Sequence, residues 1–312
     1  MGRDLDETWA PVPNAATTRA LFAMAAADGL VVHHVDVKTA FLNAKIDNEV
    51  YIKLPDGVEA GNQGEMCRLN QALYGTKQPG RRCVFKLDEE LQGIGALRNL
   101  VDPCLYEWDH PAQGRVVILV YVDDLIIAGD TLKGIQAVKD QVAANFEVCD
   151  MGEVEDFIGI KVMRDREAKI ITLSNPGHTA ALFASFGMAA STPNKTPMAS
   201  GTRLTKTKED LLLEGNRYAD LGGSLLYLST MTRPDIIFAV GVLSRFMSCP
   251  EQGDMRAAKG VLRYSHGTVR LGVVYGATEP LRGSVDAHWA GDVDSRRSTT
   301  GLGFILIGGP VS

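Results

Sequence analysis

Residues 116–128 read VVILVYVDDLIIA, and the fold turns on how this stretch is understood. Two runs of branched apolar residues flank an acidic pair, Asp123 and Asp124. Val- and Ile-rich runs of this length suit buried strands, so the stretch predicts a hairpin carrying the two acids between its arms. Adjacent carboxylates between buried strands are costly without protons, a metal or partners. Two readings stay open at this point. Asp is a common turn residue, so the pair can be the solvated tip of an ordinary hairpin. Alternatively, the hairpin is a rigid mount for a metal site.

Bulk properties narrow the classes. The chain has 312 residues, 45% hydrophobic and 22% charged, a globular composition with room for two domains, or for one large and one partial. No run reaches the roughly 18 apolar residues of a membrane span. The opening MGRDLDETWAPVP lacks an apolar signal core. Neither a membrane partner nor the secretory route is therefore expected. The five cysteines are scattered without a CxxC pair, which argues against a zinc knuckle or disulfide framework and for reduced intracellular thiols. His33 and His34 lie in a strand-like run, where neighbours point to opposite faces, so they are not expected to share one metal. The net charge of −6 runs mildly against nucleic-acid binding, which usually leaves a basic footprint. A local groove, or a basic part elsewhere, removes that objection.

Along the chain, a helix is expected near 17–27, capped by Thr17 or Thr18 and stopped by Gly29. VVHHVDV (31–37) reads as a strand. Val31, His33, Val35 and Val37 share one face of it, and Val32, His34 and Asp36 the other. A short strand at 49–57, a helix near 81–91 and a helix near 131–146 follow. FIGIKVM and KIITLS form a second hairpin, and a helix near 178–186 comes after it. Residues 189–216 are polar, with Pro193, Pro197 and several lysines, and read as a linker or mobile loop. Helices near 219–231, 234–247 and 255–264 precede short strands near 271–275, 281–286 and 301–307.

Asp36 ends one strand, and Asp123 and Asp124 sit in the hairpin. Packing the hairpin beside that strand brings all three acids to one sheet edge. Magnesium takes hard oxygen ligands, typically one or two carboxylates plus substrate phosphates. Two such ions, about 3.5–4 Å apart, can serve an in-line phosphoryl displacement.

The blocks around these acids are more specific. HHVDVKTAFLN, EVYIKLPDG, CRLNQALYGTKQ, DPCLY, VVILVYVDDLIIAG, FIGIKV, GSLLYLSTMTRPDI, FAVGVLSRFM and DAHWAGDVDSRRSTTG occur in that order. Together they resemble the reverse transcriptase of copia-type LTR retrotransposons, part of a Pol polyprotein, over nearly the whole chain.

The resemblance implies an α/β (α+β) protein: a right-hand polymerase with palm and fingers, an antiparallel palm sheet, a helical thumb or connection region, and the first strands of a truncated RNase H-like domain. The implied divisions are 1–188 for partial fingers and palm, 189–216 for a linker, 217–270 for the thumb or connection, and 271–312 for the RNase H-like start. Asp36, Asp123 and Asp124 match the family's three catalytic acids, which hold two Mg2+ ions, with Mn2+ as a substitute. Val37 matches a further metal and substrate contact. Phe41 matches the aromatic floor of the nucleotide sugar pocket. Tyr74 and Gly75 match the segment on the incoming base and template, and Lys77 and Arg81 are candidate phosphate contacts. FIGIKV looks like the hairpin that supports the primer end.

The implied partners are an RNA template, a DNA primer, dNTPs and the remainder of Pol. The implied location is intracellular, in cytoplasmic virus-like particles, the nucleus or both. Asp286 matches the first acid of an RNase H site. With no further acids of that site before Ser312, it is expected to be a vestigial strand-end residue without RNase H activity.

The chain also departs from the family. The family's upstream basic fingers segment is expected to be missing before DETWAPV, Gly80 and Cys83 replace Pro and Trp, Gly260 replaces a basic residue within a helix, and Ser265 replaces Leu. Two functions follow as competitors. One is an RNA-directed DNA polymerase or its recent remnant. The other is a non-catalytic retrotransposon-derived fragment or nucleic-acid-binding module.

Overall fold

A computed structural model describes residues 10–39, 49–53, 66–71, 73, 79–207, 210–212, 215–276, 278–292 and 294–312. Phe41, Tyr74, Gly75 and Lys77 lie outside the described residues, as does the side chain of Arg81. The chain divides into two compact units, Met1–Thr18 with Leu30–Val154, and Arg19–Gly29 with Glu155–Ser312. The division cuts through the first helix, α1 (Ala15–Asp28). That helix starts two residues before the threonines expected to cap it, because the Asn14 carbonyl already accepts from the Thr18 amide at 3.0 Å. Gly29 ends it at φ +72°, a conformation that glycine adopts without strain.

The first unit is built from β1 (Val31–Val37), β2 (Tyr51–Lys53), β3 (Met66–Arg68), α2 (Pro79–Gly93), β4 (Leu97–Arg98), β5 (Leu105–His110), β6 (Gly114–Tyr121), β7 (Asp124–Gly129), α3 (Leu132–Asn145) and β8 (Val148–Glu153). Six of its strands form one sheet in the order β4-β5-β6-β7-β1-β8. Every pairing in it is antiparallel. The quoted hairpin is β6 and β7, at the centre. Alternate residues of its arms, Val116, Ile118, Val120, Leu125 and Ile127, pack with Val35 and Val37 of β1 against Leu87 and Leu91 of α2 and Ile135, Val138 and Val142 of α3. The intervening Val117, Leu119, Ile126 and Ala128 are buried too. Burial on both faces explains why this hairpin reads as continuous apolar runs rather than as an alternation. Strand β8 was not anticipated, since VCDMGE has no apolar period.

The second unit continues with β9 (Asp156–Phe157), β10 (Ile160–Asp165), β11 (Ile170–Ser174), α4 (Pro176–Ser185), α5 (Gly215–Met231), a 3-10 turn (Pro234–Ile236) leading into α6 (Ile237–Ser244), α7 (Gln252–Gly267), β12 (Val273–Tyr275), β13 (Arg282–His288), β14 (Thr299–Leu306) and β15 (Gly309–Pro310). One antiparallel sheet runs β12-β11-β10-β9 and another runs β13-β14-β15. The helices share a core of Leu182, Tyr218, Leu225, Ile236, Leu243 and Leu262, among others. The expected linker 189–216 ends slightly early, because α5 already begins at Gly215; its described part before that is irregular, as its composition predicts, but it is seated on α7. Asn194 Nδ2 donates to the Gly260 carbonyl at 3.0 Å. A Cβ at Gly260 would stand 3.3 Å from that same nitrogen, a tight approach that the Asn194 side chain would have to yield to. Ser265 is fully buried, and its hydroxyl is satisfied by the Val261 carbonyl at 3.0 Å. Both departures from the family pattern therefore have local partners. No helix among the described residues is long and apolar enough to cross a membrane.

Candidate active site

The register of β1 against β7 fixes the site. Asp36 lies opposite Asp124 as the terminal rung of the pair, and the Val37 amide donates to the Asp123 carbonyl at 2.8 Å. The three acids thus gather at one end of two neighbouring central strands. Directly opposed residues in an antiparallel pair place their Cβ atoms about 4.5–5.5 Å apart, where like charges repel. Asp123 registers this setting. Burial first, and then the charges of Asp124 and Asp36, raise its carboxyl pKa, against the lowering effect of a hydrogen bond from its own backbone. Val37 buries its side chain in the core, so any part it plays at the site falls to its backbone.

The hairpin turn is tight. Tyr121 pairs with Asp124, leaving Val122 and Asp123 as a two-residue loop. Val122 has φ +60°. A positive φ at the first of two loop residues is the signature of a type II′ turn, a place that favours glycine. A β-branched residue there is strained, and such strain clusters at functional sites.

One partner escaped the sequence reading. His34 Nε2 lies 2.6 Å from Asp124 Oδ1. The signal was present, because alternation puts His34 on the face of Asp36. Its diagonal reach to Asp124 depends on the register, which the sequence alone does not supply. His33 points the other way, as expected, and its Nδ1 lies 2.6 Å from Lys139 Nζ. Lys139 is buried on α3 and also donates to Asp150 of β8 at 2.6 Å. One strand therefore contacts an acid of the site with one histidine and an α3–β8 clamp with the next. A bulge between His34 and Val35 in the β1–β8 register lies within this stretch.

Among the described residues, no three His, Cys, Asp or Glu side chains form a group that could hold a metal ion. The donor set nonetheless suits magnesium. All three donors are hard carboxylates, and a raised Asp123 pKa marks a place where a cation would relieve repulsion. Magnesium is usually held by one or two carboxylates and completes its shell with waters and substrate phosphates, so a closed protein cage is not required. Asp286 is exposed on β13 of the second unit, opposite Gly301, with Oδ1 accepting from the Ala287 amide at 2.8 Å.

Comparison with known proteins places the chain. The profile of the reverse transcriptase (RNA-dependent DNA polymerase) family matches residues 1–200. The retrovirus-related Pol polyprotein from transposon TNT 1-94 of Nicotiana tabacum is 35% identical over 319 aligned residues, covering 100% of this chain and 24% of the relative. The corresponding polyprotein from transposon RE2 of Arabidopsis thaliana is 34% identical, covering 100% of the chain and 21% of the relative. A transposon Ty5-1 protein of Saccharomyces cerevisiae is 30% identical, covering 89% of the chain and 91% of the relative. The chain thus spans under a quarter of the length of the two plant polyproteins. With this match to the family and these relatives, the chain belongs to the reverse transcriptase family, as the reverse transcriptase domain of a copia-type retrotransposon Pol polyprotein.

Proposed function

We propose that the chain is an RNA-directed DNA polymerase domain. It would join the primer 3′-oxygen to the α-phosphorus of a dNTP and release pyrophosphate. The observation that best supports this reading is the register that sets Asp36 opposite Asp124, with Asp123 in the adjoining turn. In this reading Asp36, Asp123 and Asp124, with the Val37 backbone, would hold two divalent ions, magnesium in the first place. The bound ions supply activation of the 3′-hydroxyl and neutralisation of charge on the leaving pyrophosphate. Asp123 offers a carboxylate already crowded by like charge, His34 orients Asp124, and the strained turn fixes where Asp123 is presented.

Phe41, Tyr74, Gly75, Lys77 and Arg81 are assigned to the nucleotide and template, and the hairpin FIGIKV at 157–162 to the primer end. Residues 1–188 are then palm and fingers, 189–216 a connector, 217–270 the thumb or connection, and 271–312 an RNase H-like segment that carries Asp286. RNA template, DNA primer and the rest of the Pol polyprotein are the corresponding partners, in an intracellular setting.

The test is extension of oligo(dT) on poly(rA) by the purified chain with dTTP and Mg2+. Extension is expected to need the metal and to be lost in Asp36→Asn. Equal extension by wild type and variant, or none by wild type, overturns the reading.

A further inference from the structure

The hairpin turn at Ile158–Gly159 is held in a conformation that its own sequence disfavours. Phe157 pairs with Ile160, leaving these two residues as the loop, at φ +45° and +82°. Positive φ at both loop positions is the type I′ pattern, for which Asn-Gly is the preferred pair. Gly159 meets the requirement, whereas β-branched Ile158 opposes it.

Side chains from two helices converge on the turn. Tyr227 of α5 donates its hydroxyl to the Ile158 carbonyl at 2.6 Å. Asn175 donates Nδ2 to the Gly159 carbonyl at 2.7 Å and to the Tyr227 hydroxyl at 3.3 Å. Both turn carbonyls are thus gripped, and the two gripping groups are linked to each other.

Asn175 makes this contact at the expense of its ordinary role. It is the N-cap residue of α4, a position where asparagine usually accepts from the first turn of the helix. Here its side chain makes no cap bond. Asn175 is 3% exposed, and its Oδ1 has no hydrogen-bond partner. A buried amide that leaves its own helix uncapped and its carbonyl oxygen unpaired has been diverted to the turn. His178, one turn into α4, sets its ring edge-on to Tyr227 at 5.2 Å and packs the tyrosine in place.

We infer that Tyr227 and Asn175 form a latch imposing the type I′ turn at Ile158–Gly159, and so act as positioning residues for the strand end assigned to the primer. The positioning role rests on the polymerase reading, while the latch itself does not.

Two measurements on the full chain separate them. Tyr227→Phe removes the half-buried bond to the Ile158 carbonyl and the longer one from Asn175, and should speed amide exchange at 157–160 by roughly fivefold to tenfold, with the melting temperature little changed. Affinity for a poly(rA)·oligo(dT) primer–template should weaken, with the defect in KM for primer–template rather than in kcat. Adding Ile158→Asn, which creates the preferred Asn-Gly pair, should restore the exchange protection in the Tyr227→Phe background. Unchanged exchange in Tyr227→Phe, or no rescue by Ile158→Asn, overturns the latch. Faster exchange with unaltered primer–template affinity overturns the positioning role alone. A wild-type chain that binds no primer–template overturns the polymerase reading and the positioning role together, while the exchange data still judge the latch.

Discussion

Asp235 in the second unit and Asp123 in the first are both carboxylates drawn partly out of water, and the fold treats them in opposite ways. Asp235 accepts from Arg233 at 2.9 and 2.8 Å, and from the Tyr264 hydroxyl at 2.9 Å. Arg233, 2% exposed, also donates to the Ser265 and Thr268 carbonyls and to the Thr268 hydroxyl. Burial favours the neutral acid, but the hydrogen bond and charge of Arg233 outweigh it and hold the Asp235 carboxyl below the usual range. Asp123 has the same burial effect and then two further acids, so all three push its carboxyl up. Desolvation alone does not distinguish an architectural charge from a functional one. The neighbouring charge separates these two. The paired Asp235 ties elements together, and the opposed Asp123 fits the proposed site, where a bound cation would supply the balancing charge.

The largest expected effect tests the paired side. Arg233→Met takes away the charged partner of Asp235, which keeps only the Tyr264 hydroxyl, and breaking such a pair costs about 3–5 kcal/mol. The low end applies, since Asp235 keeps a third of its side chain in water. Thermal unfolding should show it as a clear drop in melting temperature. The pH dependence has a definite sign. The folded carboxyl lies below its unfolded value of about 3.9, so this contribution is complete above about pH 4 and is lost as pH falls through the folded value. Asp235→Asn should therefore flatten the acid limb of the stability curve. An acid limb as steep as wild type would remove Asp235 from the paired class.

Asp123→Asn tests the opposed side, and its two effects should differ in sign. Primer extension should fall by at least about 10²–10³-fold, the scale of losing one group that stabilises transition-state charge. Stability at neutral pH should rise, because a neutral amide removes repulsion from Asp124 and Asp36. A variant that loses activity and stability together would place Asp123 among the structural charges.

The sequence exposed this contrast unevenly. The hairpin was legible because β6 and β7 are buried on both faces, which leaves an unbroken apolar run on either side of Asp123 and Asp124. Gathering Asp36 with them needed only a hairpin packed beside its strand, which β1–β7 pairing supplies. Strand β8 was hidden because Asp150, Met151 and Gly152 interrupt any period, and its place is set by β1 and by Lys139 rather than by its own pattern. His34 on Asp124 is a diagonal contact between strands far apart in the chain, visible only once the register is known. The seat of 189–207 on α7 was masked by polar composition, since Asn194 docks through a backbone carbonyl at a glycine rather than through apolar bulk.

His34 lies between the two classes, a partner for one acid of the opposed cluster. Groups that orient a ligating carboxylate typically contribute 10–100-fold to metal affinity or activity. His34→Leu should weaken Mn2+ binding, followed by electron paramagnetic resonance, within that range, and His34→Gln should recover much of it by offering an amide donor. If leucine binds the ion as well as histidine does, Asp124 needs no orienting partner, and the site consists of the acids alone.

The smallest effect concerns the turn that carries Asp123. A residue held in a sparsely populated backbone region costs on the order of 1–3 kcal/mol, and Val122 at φ +60° is such a residue. Val122→Gly removes that strain but adds roughly 0.5–1 kcal/mol of unfolded-chain entropy, so the net change should be a stabilisation between about zero and about 2.5 kcal/mol. A chain of this size converts that to no more than a few degrees of melting temperature. Activity should move the other way, because a glycine turn samples more conformations and presents Asp123 less reproducibly to the reacting phosphate. The pairing of a small gain in stability with a loss in rate is the informative result. A valine turn that proves unstrained by this measure would leave repulsion among the acids as the one cost carried by the site, and would separate it from the Ile158–Gly159 turn, where strain and latch come together.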